Sequence, residues 1–193
     1  MSPKTEKQYE EMRQRSAAII LQAALELFGH KGYHSTSISQ IAKEAGVSKG
    51  LIYNYFSSKE ALLEAIVVEA AKVGEGLMEI LEQEQSTQEK LKLLIESSFA
   101  LIQSNLHYWK LMTSLAFQPE VVEKFEDMIK NKSQEIFDVL EALFAEMNVA
   151  NPKEEAYFLG ATMDGIALHY MNMGEVYPLE KMINYTIQKF CRY

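Results

Sequence analysis

The sequence is poor in residues that support several classes of protein. Its 193 residues include one cysteine and four prolines. The lone Cys191 forms no intrachain disulfide and no multi-thiolate metal site, which excludes disulfide-rich folds and thiolate zinc modules. The most apolar stretch, 156–171, contains Asp164 and His169 and is shorter than the roughly 20 residues of a membrane span. Because no basic and apolar leader opens the chain, we expect a cytoplasmic protein without a membrane segment.

Charge is distributed unevenly along the chain. Hydrophobic residues make up 48% and charged residues 24%, which is ordinary for a folded protein, and the formal net charge is −8. Residues 1–60, however, hold eight Lys and Arg against six Asp and Glu, whereas residues 61–193 hold eleven against twenty-one. This asymmetry favours an N-terminal part that faces nucleic acid on an acidic body. The N-terminal arm itself is either a minor-groove contact or a solubilising tail, since acidic residues separate its cations Lys4, Lys7, Arg13 and Arg15.

Apolar residues recur at helical spacing along nearly the whole chain, and no alternating strand pattern competes with them. We therefore predict an all-α fold of about nine helices. The short first helices and the longer later ones indicate a compact N-terminal module followed by a helical bundle, joined through one long helix. The predicted helices are 9–31, 38–45, 49–54, 58–84, 87–104, 107–116, 119–147, 152–173 and 179–191.

Polar residues mark several of the predicted helix starts. In a capping box, a Ser side chain accepts from the backbone three residues on, while the residue there bonds back. Asn151 is expected to cap the helix that Pro152 opens. The pairs with capping-box spacing are Ser37 with Gln40, Ser57 with Glu60 and Ser86 with Glu89.

The segment from Ser37 to Tyr53 has the pattern of a helix-turn-helix. Its first short helix places Ile38, Ile41, Ala42 and Ala45 inward, Gly46 supplies a positive-φ turn, and a second helix begins at Ser48 and buries Ile52. The outer face of that second helix suits a DNA major groove and carries Ser48, Lys49, Gly50, Leu51 and Asn54.

Further polar side chains around this helix are predicted to contact the phosphate backbone. Tyr53 and Tyr55 offer phenolic donors, and Lys59 lies at the next helix start, where free N–H groups attract phosphate. Thr36 and Ser37 would cap the first helix and reach the opposite phosphate. The alternative is a helical hairpin that only packs, with the tyrosines in a core.

Residues 16–63 resemble the TetR family of bacterial transcriptional regulators. The motifs that carry the resemblance are Gly32-Tyr33, Thr36-Ser37-Ile38, Ile41-Ala42, Ala45-Gly46-Val47-Ser48, Gly50, Ile52-Tyr53, Tyr55-Phe56, and Ser58-Lys59-Glu60 with Leu62. The resemblance implies an all-helical homodimer with an N-terminal three-helix DNA-binding domain, 1–63, and a C-terminal helical domain for ligand binding and dimerisation, 64–193, whose ligand is an inducer. By position it implies base or backbone contacts for Lys49, Gly50, Leu51 and Tyr53, first-helix contacts for Ser37, Ser39 and Gln40, and a phosphate contact for Lys59.

The helix at 152–173 is apolar nearly all round and must therefore be covered on all sides. Small residues on it permit a close symmetric contact, and helix 179–191 adds one apolar stripe, as in a four-helix dimer interface. A monomer core is the alternative. The predicted interface residues are Gly160, Ala161, Gly165, Ala167, Leu168, Ile183, Ile187 and Phe190.

Aromatic and methionine side chains between these parts suggest a pocket for a lipophilic ligand, although residues of this type at helical spacing also build ordinary cores. Asp164 is a lone carboxylate in an apolar helix. We expect its side chain to face a ligand, to cap a partner across the dimer or to hydrogen-bond a tyrosine. The candidate pocket residues are Phe99, Gln103, Tyr108, Trp109, Met112, Phe117, Phe125, Met128, Met163 and Asp164.

We therefore predict a transcriptional repressor that an unknown lipophilic small molecule releases from a pseudo-palindromic operator in double-stranded DNA. An activator or ligand-independent regulator on the same fold is one alternative, and a carrier of lipophilic molecules is another. An enzyme is not expected, because the four histidines lack paired metal spacing and Cys191 is isolated. No cofactor and no metal are expected.

Overall fold

The computed structural model describes residues 6–192, except for the side chains at positions 6, 9, 74 and 75. Across this range the chain forms nine α-helices and no strand, as predicted. Two 3₁₀ turns, Glu79–Glu82 and Gly174–Val176, follow α4 and α8. The helices are α1 Glu6–Lys31, α2 Ile38–Glu44, α3 Lys49–Tyr55, α4 Lys59–Met78, α5 Thr87–Ser104, α6 Leu106–Ala116, α7 Pro119–Glu146, α8 Pro152–Met173 and α9 Leu179–Phe190.

The chain divides into two compact units. The N-terminal unit comprises Met1–Lys72 and Leu111–Val121, and the C-terminal unit comprises Val73–Lys110 and Val122–Tyr193. This division falls within α4 and assigns the end of α6 to the N-terminal unit. The domain boundary that we predicted after residue 63 stays a prediction.

The core of the N-terminal unit forms around α1. Ile20, Ala24 and Phe28 are fully buried, because a spacing of four residues keeps their side chains on one helix face. Helices α2 and α3 have only seven residues each and are too short to be stable alone, so packing must hold them. Their contributions to this core include Ile41 and Ile52, both without exposed surface.

The segment 111–121 packs against the end of α1 within the N-terminal unit. A Cβ added to Gly29 would lie 2.6 Å from the Leu111 side chain, so only glycine lets the two helices approach this closely. The Ser114 hydroxyl donates to the Gly29 carbonyl at 2.8 Å. Gln118, just beyond α6, donates to the Phe28 carbonyl at 2.8 Å.

The C-terminal unit has a larger apolar core to which α5, α7, α8 and α9 contribute. Phe99, Phe144 and Phe190 are among its most deeply buried side chains. Helix α7 is kinked at Phe125, where φ is −112° and ψ is 16°. In the part of the chain that the structure describes, none of the helices combines the length and the apolarity needed to cross a membrane.

Candidate nucleic-acid interface

A capping box fixes the start of α2. The Ser37 hydroxyl oxygen accepts from the Gln40 backbone N–H at 3.3 Å, and the Gln40 side-chain oxygen accepts from the Ser37 N–H at 2.7 Å. This confirms the predicted pair. Both side chains are exposed, as is that of Ser39. The three residues of α2 and its cap that we predicted to contact DNA, Ser37, Ser39 and Gln40, therefore lie together at one accessible helix start.

Thr36 behaves differently from its neighbours. Its side chain is 2% exposed, and its hydroxyl lies 2.9 Å from the Gly32 carbonyl and 3.2 Å from the Leu27 carbonyl, both of which accept from it. The prediction that Thr36 caps α2 is wrong, because Ser37 alone is the capping residue. Its predicted phosphate contact is corrected as well, since the hydroxyl points into the protein and serves the loop before α2.

Gly46 makes the turn between α2 and α3. Its φ is +66°, a left-handed conformation that costs non-glycine residues energy. The Val47 N–H donates to the Ala42 carbonyl at 3.0 Å and thereby satisfies a carbonyl at the end of α2. The predicted turn is confirmed.

Helix α3 presents a polar face to solvent. Ser48 caps the helix by accepting from the Leu51 N–H at 3.1 Å, and Ile52 is its fully buried residue. Tyr53 is 50% exposed, whereas Leu51 is half-buried. The exposed face also carries Ser48, Lys49, Gly50 and Asn54.

Gly50 leaves free space at the start of this face. A Cβ built there would meet only the Ser48 hydroxyl, at 4.0 Å. The protein itself therefore tolerates a side chain at position 50. The absence of one matters only to a molecule that approaches α3 from outside.

Helix α4 begins one residue later than predicted. The Ser58 hydroxyl, not that of Ser57, accepts from a helical N–H, that of Ala61, at 3.1 Å. The predicted Ser57–Glu60 capping box is therefore wrong. Glu60 instead accepts a hydrogen bond from the Tyr33 hydroxyl at 3.1 Å.

The Lys59 ammonium group, predicted to contact phosphate, is bonded to the protein's own backbone. It donates to the carbonyls of Tyr33 at 2.9 Å and Thr36 at 3.0 Å, with a longer contact to that of His34 at 3.5 Å. It also lies 4.4 Å from the centre of the Tyr33 ring, within cation–π range.

Tyr33 connects the loop before α2 to two other segments. Its N–H donates to the Gln118 side chain at 2.7 Å, and its ring is buried beside Phe28, with ring centroids 5.1 Å apart. Burial, followed by the hydrogen bond to Glu60 and the charge of that carboxylate, raises the pKa of Tyr33 to about 12. Sequence reasoning gave no role to Gln118, which lies 85 residues from Tyr33 and carries no local signal of the contact.

Tyr55 is half-buried, and the Arg13 guanidinium carbon lies 5.8 Å from its ring centre. The cations of the predicted arm that the structure describes, Lys7, Arg13 and Arg15, are exposed on helix α1. Lys4 lies outside the described residues. The cationic residues near α3 thus include side chains from α1.

The structure places the predicted dimer residues in two groups. Phe190 is fully buried, and Ile183 and Ala167 are nearly so, in the unit's own core. A Cβ on Gly160 would lie 2.8 Å from the Phe137 ring of the same unit. The predictions for Phe190, Ile183 and Ala167 are corrected, because their side chains pack within one subunit. Gly160 is half-buried, and its place in an interface stays a prediction.

The other predicted dimer residues remain accessible. Ala161 and Leu168 are exposed, Gly165 and Ile187 are half-buried, and a Cβ on Gly165 would meet nothing within 4 Å. Sequence reasoning missed exposed aromatic residues on the same two helices, Tyr157, Phe158 and Tyr185. Apolar character alone does not show which side chains of a helix face outward.

The predicted pocket residues are not brought together in one unit. Met112 and Phe117 belong to the N-terminal unit and the other eight to the C-terminal unit. Phe117 is 74% exposed, whereas Phe99 and Phe125 are buried. Phe117 therefore lines no enclosed pocket, which corrects that prediction.

The polar members of the predicted pocket already have neighbours. The Trp109 ring N–H donates to the Leu101 carbonyl at 2.9 Å, and Gln103 donates to Glu180 at 3.4 Å. The ring centroids of Tyr108 and Trp109 lie 5.3 Å apart, edge to face. Met128 and Met163 are half-buried. Asp164 is at the accessible face of α8, where partial desolvation raises the pKa of its carboxyl group.

A capped helix with an exposed polar face, joined through a glycine turn to a supporting helix whose inner side chains are buried, defines a helix-turn-helix DNA-binding module. Residues 20–66 match the family model described as bacterial regulatory proteins, tetR family. Over these residues the chain resembles that family, whose members are transcriptional regulators and not enzymes.

Proteins with similar sequences are also named as regulators. The chain is 34% identical to the fatty acid metabolism regulator protein of Bacillus subtilis over 117 residues, which are 58% of this chain and 59% of that protein. It is 26% identical to the transcriptional regulator BetI of Escherichia coli over 184 residues, 88% of each chain. The match to the Bacillus subtilis regulator thus spans less than two thirds of that protein.

A solved structure shares the fold. The fatty acid degradation regulator FadR from Bacillus halodurans superimposes with a TM-score of 0.70 at 23% identity, over 91% of this chain and 97% of that one. At this identity the likeness bears on the fold alone.

Proposed function

We propose that the chain is a sequence-specific transcriptional repressor whose α3 face reads the major groove of an operator. The observation that carries this proposal is the accessible α3 surface, capped at Ser48 and free of a side chain at Gly50. Lys49 suits guanine edges and Asn54 suits adenine edges. Gly50 allows the backbone to approach the DNA, and the accessible Tyr53 hydroxyl suits a phosphate. The chain would act in the cytoplasm.

A dimer is part of this proposal. The apolar residues Tyr157, Phe158, Ala161, Leu168 and Tyr185 are exposed on α8 and α9 and suit a symmetric contact with a second subunit. Two-fold symmetry would place two α3 helices about 34–36 Å apart, or one turn of the duplex, and so requires a pseudo-palindromic operator.

The dimer is tested by sedimentation of two variants. Leu168→Glu places a charge on the α8 face and is expected to yield monomers. Ile136→Glu, a matched change at an exposed apolar residue of α7, is expected to leave the dimer intact. A Leu168→Glu variant that sediments as the wild type would contradict the use of this face.

The proposed effector is a lipophilic acyl compound. Supporting this class, the Bacillus subtilis relative is named as a regulator of fatty acid metabolism, and ten methionines offer adaptable apolar surface. A typical coupling of 1–3 kcal/mol would weaken operator binding about 5- to 150-fold. Helix α4, which runs from Lys59 to Met78, is the proposed route of coupling.

The effector class is tested by titrating the protein–operator complex with saturated fatty acids of increasing chain length, with acetate as the control. Release that strengthens with chain length supports an acyl effector. Equal responses to acetate and to the long chains, or no release at all, would contradict it.

The repressor proposal is tested by selecting duplexes from a random pool and titrating the enriched duplex at two salt concentrations. We expect a palindrome with half-sites about one helical turn apart and a binding constant that falls steeply with salt. No enrichment, with only weak salt-sensitive binding, would contradict the proposal. Position of the enriched sequence across a promoter would then separate a repressor from an activator.

A further inference from the structure

We infer that Gln118 is a positioning residue for DNA binding, because its side-chain amide fastens the turn between α6 and α7 to the loop that leads into α2. The inference rests on the proposed DNA binding and concerns how that site is supported. Gln118 lies outside residues 20–66, over which the chain matches the family model. The family resemblance therefore assigns it no role.

The Gln118 amide uses both of its polar atoms at the end of α1. Its nitrogen donates to the Phe28 carbonyl at 2.8 Å, and its oxygen accepts from the Tyr33 N–H at 2.7 Å. The Phe28 carbonyl also accepts from the Gly32 N–H at 3.1 Å, so the amide bond occupies its second lone pair. The Tyr33 N–H lies beyond the last turn of α1, where the helix offers it no acceptor. One side chain thus joins the end of α1 to the first part of the loop.

The turn that carries Gln118 is held independently of this amide. The Gln118 N–H donates to the Leu115 carbonyl at 3.1 Å, and the Gln118 carbonyl accepts from the Val121 N–H at 3.0 Å. Leu115 is buried, and the Ser114 hydroxyl donates to the Gly29 carbonyl at 2.8 Å. Loss of the amide should therefore leave the turn in place and release the loop instead.

The loop that the amide holds is short and ends at the candidate interface. It begins at Gly32, whose φ is +86°, and reaches Ser37, the residue that caps α2. Helix α2 has only seven residues and depends on its surroundings for its position. A displacement at Tyr33 therefore moves the helix start at which Ser37, Ser39 and Gln40 are predicted to contact DNA.

Two substitutions test the role of the amide. Gln118→Met keeps the length of the side chain and removes both polar atoms. Gln118→Glu keeps an acceptor for the Tyr33 N–H but places a carboxylate oxygen, which cannot donate, beside the Phe28 carbonyl. The matched controls are Gln22→Met and Gln22→Glu, because Gln22 is exposed on α1 of the same unit and its side chain donates to Glu26 at 3.1 Å.

The experiment measures binding to the selected operator and to an unrelated duplex at several salt concentrations. Both Gln118 variants are expected to bind the operator roughly tenfold more weakly than the matching Gln22 variants. The salt slope and the affinity for the unrelated duplex are expected to equal those of the controls, because no phosphate contact is removed. Equal weakening of both duplexes would show a general effect on charge or folding, and unchanged operator affinity would show a merely structural glutamine; either result would overturn the inference.

Hydrogen exchange of the DNA-free protein gives a second readout. Exchange of the amides in residues 33–40 is expected to be faster in both Gln118 variants and unchanged in the Gln22 variants. Unchanged exchange over 33–40 in the Gln118 variants would overturn the inference. If Gln118→Met does not fold, Gln118→Glu decides. A wild-type protein that enriches no duplex would refute the proposed function itself, before any variant is compared.

Discussion

The two units of the chain are both helical, yet their helices are held in different ways. In the N-terminal unit, seven-residue helices depend on polar bonds at their ends, such as those of Ser37 and Ser48, and on the left-handed turn at Gly46. In the C-terminal unit, long helices share an apolar core around Phe99, Phe144 and Phe190. Capping residues and turn glycines can be recognised one by one in the sequence. The sequence of a long apolar helix does not show which of its faces the neighbouring helices cover.

The largest expected effect tests the reassignment of Phe190 from interface to core. Phe190→Ala should lower the free energy of unfolding by about 3–5 kcal/mol, because it leaves a cavity beside Phe144 and Phe158. Tyr185→Ala changes a residue on the exposed face of α9. At a protein concentration high enough to retain the dimer, it should lower the free energy of unfolding far less than Phe190→Ala does. Urea unfolding at several protein concentrations measures both.

The opposite pattern would restore the original interpretation of α9. A Phe190→Ala variant as stable as the wild type but unable to dimerise would place that ring in the interface and contradict the core assignment.

Two glycines of the N-terminal unit should respond in opposite ways to alanine. Gly46→Ala is expected to cost about 1–2 kcal/mol, because φ is +66° there. Gly50→Ala lies in a right-handed helix with free space, so stability should stay unchanged or rise by up to about 1 kcal/mol, while operator affinity falls. Thermal unfolding and operator titration are the two measurements. A Gly50→Ala variant that binds the operator as tightly as the wild type would exclude close approach of DNA at this position.

Helix caps in the two units give a smaller contrast. Ser48→Ala should destabilise the protein by about 1 kcal/mol, because its hydroxyl accepts from the Leu51 N–H. Asn151→Ala should cost nearly nothing, because the Asn151 side chain makes no cap bond. Equal losses in urea unfolding would remove this distinction between the units.

The last contrast, which is absent at neutral pH, is a pH dependence of stability that originates in Tyr33. The pKa of this phenol is raised to about 12 in the folded chain from an ordinary value of 10. Below pH 10 the phenol is neutral in both states; between pH 10 and 12 only the unfolded form ionises, so stability falls over this range. Tyr33→Phe should make the fall shallower. An unchanged pH profile of the unfolding free energy would contradict the burial of this hydroxyl.

Much of the fold could be predicted from the sequence, because apolar spacing and helix-start residues determine helices locally. The ends of α5 agree with the predicted 87–104, and the Ser37–Gln40 box is present as expected. The same reasoning gave the wrong capping residue for α4. Ser57 and Ser58 are adjacent and either one could cap the helix, so the sequence alone does not decide between them. For Asn151, the Pro152 start was correct although the side-chain bond is absent.

The candidate site was predictable where it is contiguous in sequence and unpredictable where it depends on distant residues. The exposure of Lys49 and Gly50 could be predicted, because Ile52 marks the inner face of the same short helix. The bonds of Lys59 to the loop at Tyr33, and of Gln118 to the same loop, span 26 and 85 residues. No local sequence pattern predicts such contacts. For the same reason, the sequence does not show that Gly160 on α8 lies against Phe137.

The most direct test of the central claim is parallel duplex selection with the wild type, Lys49→Ala and Lys72→Ala. If α3 reads base edges, the wild type and Lys72→Ala will enrich the same palindrome, while Lys49→Ala will enrich one altered at symmetry-related positions in both half-sites. If Lys49→Ala enriches the wild-type palindrome unchanged, Lys49 does not read the operator and the assignment of the α3 face is contradicted.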